Sequence, residues 1–123
     1  MRLFIGSSSY QPLVLFDLNQ HFLRIDGMSN MTNAAEFYKT LSDWISAHKS
    51  SIEIGTELVL RLLYLNSSSN KAIYHFFLRI THENIPVSIV IVKSTSSDNE
   101  DVVELLEQIC RILGLPYIIR EEP

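Results

Sequence analysis

Residues 58–65 read Leu-Val-Leu-Arg-Leu-Leu-Tyr-Leu, apolar or aromatic at every position but Arg61. Such a run predicts a strand buried on both faces of a sheet. Asn66, Ser67, Ser68 and Ser69 follow directly, and then Ile73, Phe76, Phe77 and Ile80 at helical spacing. The apolar period therefore switches from strand to helix within a few residues. The switch recurs downstream. Val87–Val92 reads as a second buried strand, and Val102, Leu105, Leu106, Ile109 and Leu113 as the stripe of another helix. Asp98, Glu100 and Asp101 suit the N-terminus of that helix, and Gly114 its stop. Strands alternating with helices predict a largely parallel sheet joined by right-handed crossovers.

The N-terminal third carries a different pattern. Leu13–Asp17 and His21–Asp26 are short β-like runs with a turn candidate, Asn19-Gln20, between them. Leu3–Ile5 is a further strand candidate, and Asp26-Gly27 is expected to break the hairpin's second strand. A helix then shows Phe37, Leu41, Trp44 and Ile45 on one face, with Asn33 and Glu36 as its capping box or Ser29 as an earlier start. Tyr117–Ile119 is expected to form a last short strand, followed by a mobile acidic tail. The expected fold is α/β: a mostly parallel central sheet with an N-terminal β-hairpin and three helices.

The chain has 123 residues, enough for one domain over 1–123. Its hydrophobic fraction, 46%, fills a core without help from disulfides or metals, and the single cysteine, Cys110, allows no internal disulfide and no cysteine-built zinc site. A net charge of −4 with scattered Lys and Arg argues against nucleic acid as a ligand. Apolar runs such as Ile89–Val92 fall far short of the roughly 20 residues of a membrane span, and no signal-like stretch follows Arg2. The expectation is a cytoplasmic protein with no direct membrane binding.

Serine clusters at 7–9, 67–69 and 94–97 read as loops, the first and third as flexible turns. The second lies where a buried strand runs into a helix. In open α/β sheets this end of the strands is where ligands and partners meet the protein. The first turn of a helix offers free N–H groups and a partial positive charge, which suit a phosphoryl group. The plainer reading of Ser67 or Ser68 is an N-cap, a role serine fills often.

The segment Tyr64-Leu65-Asn66-Ser67-Ser68-Ser69-Asn70-Lys71 resembles the signature of the SiaC family of bacterial regulatory phosphoproteins. Gly27, Ser29, Asn33, Glu36, Phe37 and Trp44 resemble its first-helix pattern, and Leu115-Pro116-Tyr117 its last strand entry. Met31-Thr32 replaces the family's Pro-Glu, and Lys93 with the serine loop replaces acidic residues after the late strand. The resemblance implies a STAS-like fold, related to anti-anti-sigma factors. It implies Ser67 as phosphoacceptor, with Asn66, Ser68, Ser69 and Lys71 beside it in a partner-binding surface. It further implies a SiaB-like serine/threonine kinase, a SiaA-like phosphatase, and stimulation of a SiaD-like diguanylate cyclase by the unphosphorylated form. Cyclic di-GMP, and through it biofilm formation or aggregation, would be the output. An anti-anti-sigma factor in a partner-switching system is the alternative.

A small serine hydrolase is a third reading, but Ser67 lacks a Gly-x-Ser-x-Gly elbow, and no spacing ties His21, His48, His75 or His82 to it. No catalytic residue, cofactor or metal ligand is therefore expected. Cys110 reads as a buried thiol. Arg61 calls for an edge position or an acidic partner such as Glu57. Lys71, taken as lying in the helix's first turn, suits a phosphate or a partner's carboxylate, or else is a plain exposed lysine.

Overall fold

The β-like alternation of Leu13–Asp17 becomes a strand with Val14 and Phe16 inside, in the computed structural model, which describes residues 1–123. The strands are β1 (Arg2–Ile5), β2 (Leu13–Asp17), β3 (Phe22–Ser29), β4 (Thr56–Leu65), β5 (Val87–Ser94) and β6 (Tyr117–Glu122). The helices are α1 (Ala34–Ala47), α2 (Ser67–His82) and α3 (Glu100–Leu113). β2 and β3 are joined by a short 3-10 turn over Leu18–Gln20, where Asp17 accepts from the Asn19 N–H at 3.1 Å. Gly27 does not end β3. It takes φ +128, a conformation that favours glycine, and the register shifts there while the strand runs on to Ser29. This bulge lets β3 run on to pair Ser29 with Leu65, the last residue of β4.

The six strands lie in sequence order, β1-β2-β3-β4-β5-β6. β1, β2 and β3 pair antiparallel, and β3 through β6 pair parallel. Successive right-handed crossovers in one direction stack every helix on the same face. One apolar core results. It joins Leu58, Leu60 and Leu62 of β4 to Leu41 and Ile45 of α1, Ile73 and Phe77 of α2, and Leu106 and Ile109 of α3. The fold class is the one expected. Gly114 stops α3 at φ 72 with its N–H turned back to the Arg111 carbonyl.

β4 is buried on both faces over Leu58–Leu60, as expected, though not by helices on both sides. Its second face carries no helix, yet Val59, Val90 and Val92 are only 4%, 0% and 1% exposed. Charged side chains provide the cover. Arg24 lies beside Val59 in register and binds Asp26 at 2.9 Å and Glu122 at 2.7 Å. Arg61 binds Asp26 at 2.8 Å, and Arg120, beside Val92, binds Glu57 at 3.0 Å. Long stems shield apolar surface while the heads pair above it. Arg61 thus takes Asp26 rather than Glu57. The C-terminal segment expected to be mobile is strand to Glu122, with the Pro123 carbonyl accepting from Ser94 Oγ at 2.9 Å.

α1 and α2 are clamped at their far ends. Glu83 accepts from Ser46 Oγ at 2.6 Å and from Arg79 Nε at 2.8 Å, while Arg79 also pairs with Asp43. The Ser46 hydroxyl first, and then Arg79, hold the Glu83 carboxyl down to about 2 from its ordinary 4.5. Arg79 and then Lys39 lower Asp43 as well. A depressed carboxylate contributes stability that is present above its unfolded value and lost as pH falls through its folded one. Unfolding free energy should therefore decline as pH drops from about 4.5 toward about 2. Denaturant curves across that range check this, and Glu83→Gln should flatten the decline.

Candidate functional site at the first turn of α2

β4 ends at Leu65 and the chain turns into α2 through Asn66, whose extended backbone (φ −83, ψ 175) is that of an N-cap. Its Oδ1 accepts the Ser69 N–H at 2.8 Å, and its Nδ2 donates to the Met31 carbonyl at 2.8 Å. Its own N–H donates to the Ser29 carbonyl at 3.1 Å. The cap is therefore Asn66, not Ser67 or Ser68, and its side chain is committed to holding the loop together.

The three serines take three different positions. Ser67 is the first helical residue, is exposed, and makes no side-chain hydrogen bond. Ser68 is half-buried and turned toward α1, donating to the Thr32 carbonyl at 3.3 Å and accepting the Ala34 N–H at 3.4 Å. It thereby caps α1 from a neighbouring helix. The expected Asn33–Glu36 capping box does not form: Asn33 Nδ2 binds Glu36 Oε2 at 2.9 Å and neither caps the backbone. Ser29 is not a helix start but the buried end of β3. Ser69 is fully buried, bonded to Ser29 Oγ at 2.7 Å and to the Ser29 carbonyl at 3.0 Å.

The N–H groups of Ser67 and Ser68 have no acceptor within the protein, whereas those of Asn66, Ser69 and Asn70 do. Lys71 is exposed and in no ion pair. It opens the second turn rather than lying in the first, which puts it above Ser67 on the same helix face. An exposed hydroxyl, free donors and a free cation thus meet on one patch. Tyr64 and Met28, opposite each other in β4 and β3, add apolar surface there at 44% and 38% exposure. A groove of about 700 Å³ opens past Thr32 along the start of α1, lined by Tyr10, Met31 and Phe37.

Sequence reasoning missed two residues behind this surface. Tyr38 is buried and bonds Ser29 Oγ at 2.9 Å. Asn99, buried before α3, accepts the Ser94 N–H at 2.9 Å and donates to the carbonyls of Leu62 and Val92 at 3.0 Å each. The Ser94–Ser97 loop is held rather than loose: Asn99 fixes Ser94, and the Ser97 N–H donates to Ser94 Oγ at 3.1 Å. The remaining candidates lie elsewhere. His75 and His82 are exposed, and no three His, Cys, Asp or Glu side chains converge on a metal-sized space. Cys110 is fully buried, and burial with the nearby Glu107 pushes its thiol up to about 12. No helix is long and apolar enough to cross a membrane.

Fold and first turn together define a small α/β protein with an exposed serine at a helix N-terminus. The family model for SiaC family regulatory phosphoproteins matches residues 5–120, and the chain belongs to that family. An uncharacterised protein of Pseudomonas aeruginosa strain UCBPP-PA14 is 31% identical over 121 residues, covering 96% of this chain and 94% of the relative. SiaC of Pseudomonas aeruginosa superimposes with a TM-score of 0.78 at 26% identity, over 99% of both chains. A crystal structure of the diguanylate cyclase SiaD in complex with its activator SiaC, from the same organism, gives a TM-score of 0.78 at 28% identity, over 98% of this chain and 99% of the other.

Proposed function

We propose that this protein, unphosphorylated, binds and stimulates a SiaD-type diguanylate cyclase, and that phosphorylation of Ser67 turns the stimulation off. A SiaB-type kinase adds the phosphate and a SiaA-type phosphatase removes it, all in the cytoplasm, so that cyclic di-GMP and biofilm formation or aggregation follow the state of one serine. The observation that carries the residue assignment is the division among the serines: Ser67 alone of the three offers an exposed hydroxyl with no partner. The likeness of the whole chain to an activator seen in complex with its cyclase supports the choice of partner.

The physical switch is local. A phosphate adds about −1.5 to −2 charges and three acceptor oxygens. The free N–H groups of Ser67 and Ser68 and the ammonium of Lys71 are placed to receive them. A surface that fitted a neutral hydroxyl then carries a solvated dianion. An anti-anti-sigma factor would use the same chemistry on an anti-sigma kinase; membership of the SiaC family favours the cyclase.

The test is cyclic di-GMP formation by a purified SiaD-type cyclase, with and without saturating unphosphorylated protein. Stimulation of several-fold or more is expected. An unchanged rate, with no complex detectable by gel filtration, overturns the proposal.

A further inference from the structure

A chain of hydroxyl groups runs beneath the acceptor turn, against a predominantly apolar core. Its direction is fixed. Ser69 Oγ donates to the Ser29 carbonyl at 3.0 Å and accepts from Ser29 Oγ at 2.7 Å. The Ser29 hydroxyl proton is thereby used, so the Tyr38 hydroxyl, 2.9 Å from Ser29 Oγ, is the donor of the third bond. Ser29, Ser69 and Tyr38 are all essentially without solvent contact. Burial also raises Tyr38 above the usual phenol range, which keeps it a neutral donor.

The chain ends on one carbonyl, that of Ser29, which also accepts the N–H of Asn66. Both ends of the first turn of α2, Asn66 and Ser69, are thus referred to a single atom at the end of β3. Tyr38 then ties that atom's residue to α1. A buried hydroxyl that loses its partner is costly, so the turn cannot rotate or slip without leaving one unsatisfied. Replacing both partners of a neutral buried hydrogen bond by apolar groups of the same shape can be nearly neutral for stability, so what these hydroxyls add is a fixed geometry.

The geometry points to Ser29, Ser69 and Tyr38 as positioning residues for the phosphoacceptor, holding the turn so that the free N–H groups of Ser67 and Ser68 face the Ser67 oxygen. This rests on Ser67 being the acceptor. It is independent of which kinase acts and which partner binds.

The experiment uses the full chain with phosphoserine genetically encoded at position 67, titrated by phosphorus-31 NMR. An ordinary phosphoserine loses its second proton near pH 6, at about that value. Held against an ordered helix N-terminus, this one should titrate about half a pH unit lower. Ser69→Ala and Ser29→Ala should return it most of the way, and Tyr38→Phe part of the way, with amide exchange at residues 67–70 accelerated in the same order. Lys71, Glu36 and the acids at the start of α3 are common to all variants and cancel in the comparison. Tyr38→Phe keeps the ring and removes one oxygen, so it decides the matter where a serine variant fails to fold. Folded variants that titrate with the parent, or a parent that titrates like a free phosphoserine, overturn the proposal. Failure of cyclase stimulation alone leaves this result unaffected and strikes the functional reading instead.

Discussion

Phosphorylation of Ser67 is expected to weaken binding to the partner cyclase by about thirtyfold or more, the equivalent of 2 kcal/mol or more at a central contact. Ser67→Ala should bind like the parent, and Ser67→Asp should fall between them. Alanine removes a hydroxyl that has no partner, and the N-cap is Asn66, so the substitution costs no cap. Alanine is also the better helix former. Aspartate at the first helical position interacts favourably with the helix dipole by about 0.3–1 kcal/mol. Neither variant loses binding through unfolding. What remains is the interface, which meets a carboxylate in one case and a phosphate of greater charge and reach in the other. Calorimetric titration of the parent, both variants and the phosphorylated protein against the cyclase measures the series. Equal affinity of phosphorylated and unphosphorylated protein would falsify the switch.

The largest effect on stability is expected from Asn99→Ala. The registered pairing of β4 with β5 stops at Leu60 and Ile91, and beyond that point the strands separate. The Asn99 amide bridges the gap, serving the Leu62 carbonyl of β4, the Val92 carbonyl of β5 and the Ser94 N–H. Alanine leaves those three buried backbone groups without partners. At about 1–3 kcal/mol for each unsatisfied group, the loss is on the order of 3–5 kcal/mol once partial access of water is allowed for. Domains of this kind have about 5–15 kcal/mol in all. Asn99→Asp should be no milder, since a carboxylate accepts the Ser94 N–H but faces two carbonyls with no proton to give. Urea unfolding reads both. A loss below about 1 kcal/mol for Asn99→Ala would mean that the gap between the strands fills with water at little cost.

Local pattern made much of the fold legible. Ile73, Phe76, Phe77 and Ile80 repeat at the helical period, and all are buried where that period puts them. What the pattern could not carry was pairing at a distance. Arg61 looked anomalous because its partner, Asp26, is 35 residues away on another strand. The apolar run of β4 reads the same whether helices or ion pairs cover its second face. Tyr38 escaped notice because Phe37, Leu41, Trp44 and Ile45 already satisfy the period, although Tyr38 is buried more deeply than Phe37. At the site, the strand-to-helix switch located the turn within a residue. Assigning jobs to Asn66 and the serines needed the third dimension, because every one of them is a competent cap.

The strand order bears on how the molecule is made. Because each strand lies beside its sequence neighbour, every strand after the first leaves the ribosome with a lateral partner already made. Vectorial synthesis can therefore extend the sheet one rung at a time, without holding an unpaired early strand in waiting. The principal exception is the contact of Arg24 with Glu122, which joins residues 98 apart in sequence. That contact can close only when the last strand is released. The pair then ties β3 to the edge strand β6 across β4 and β5.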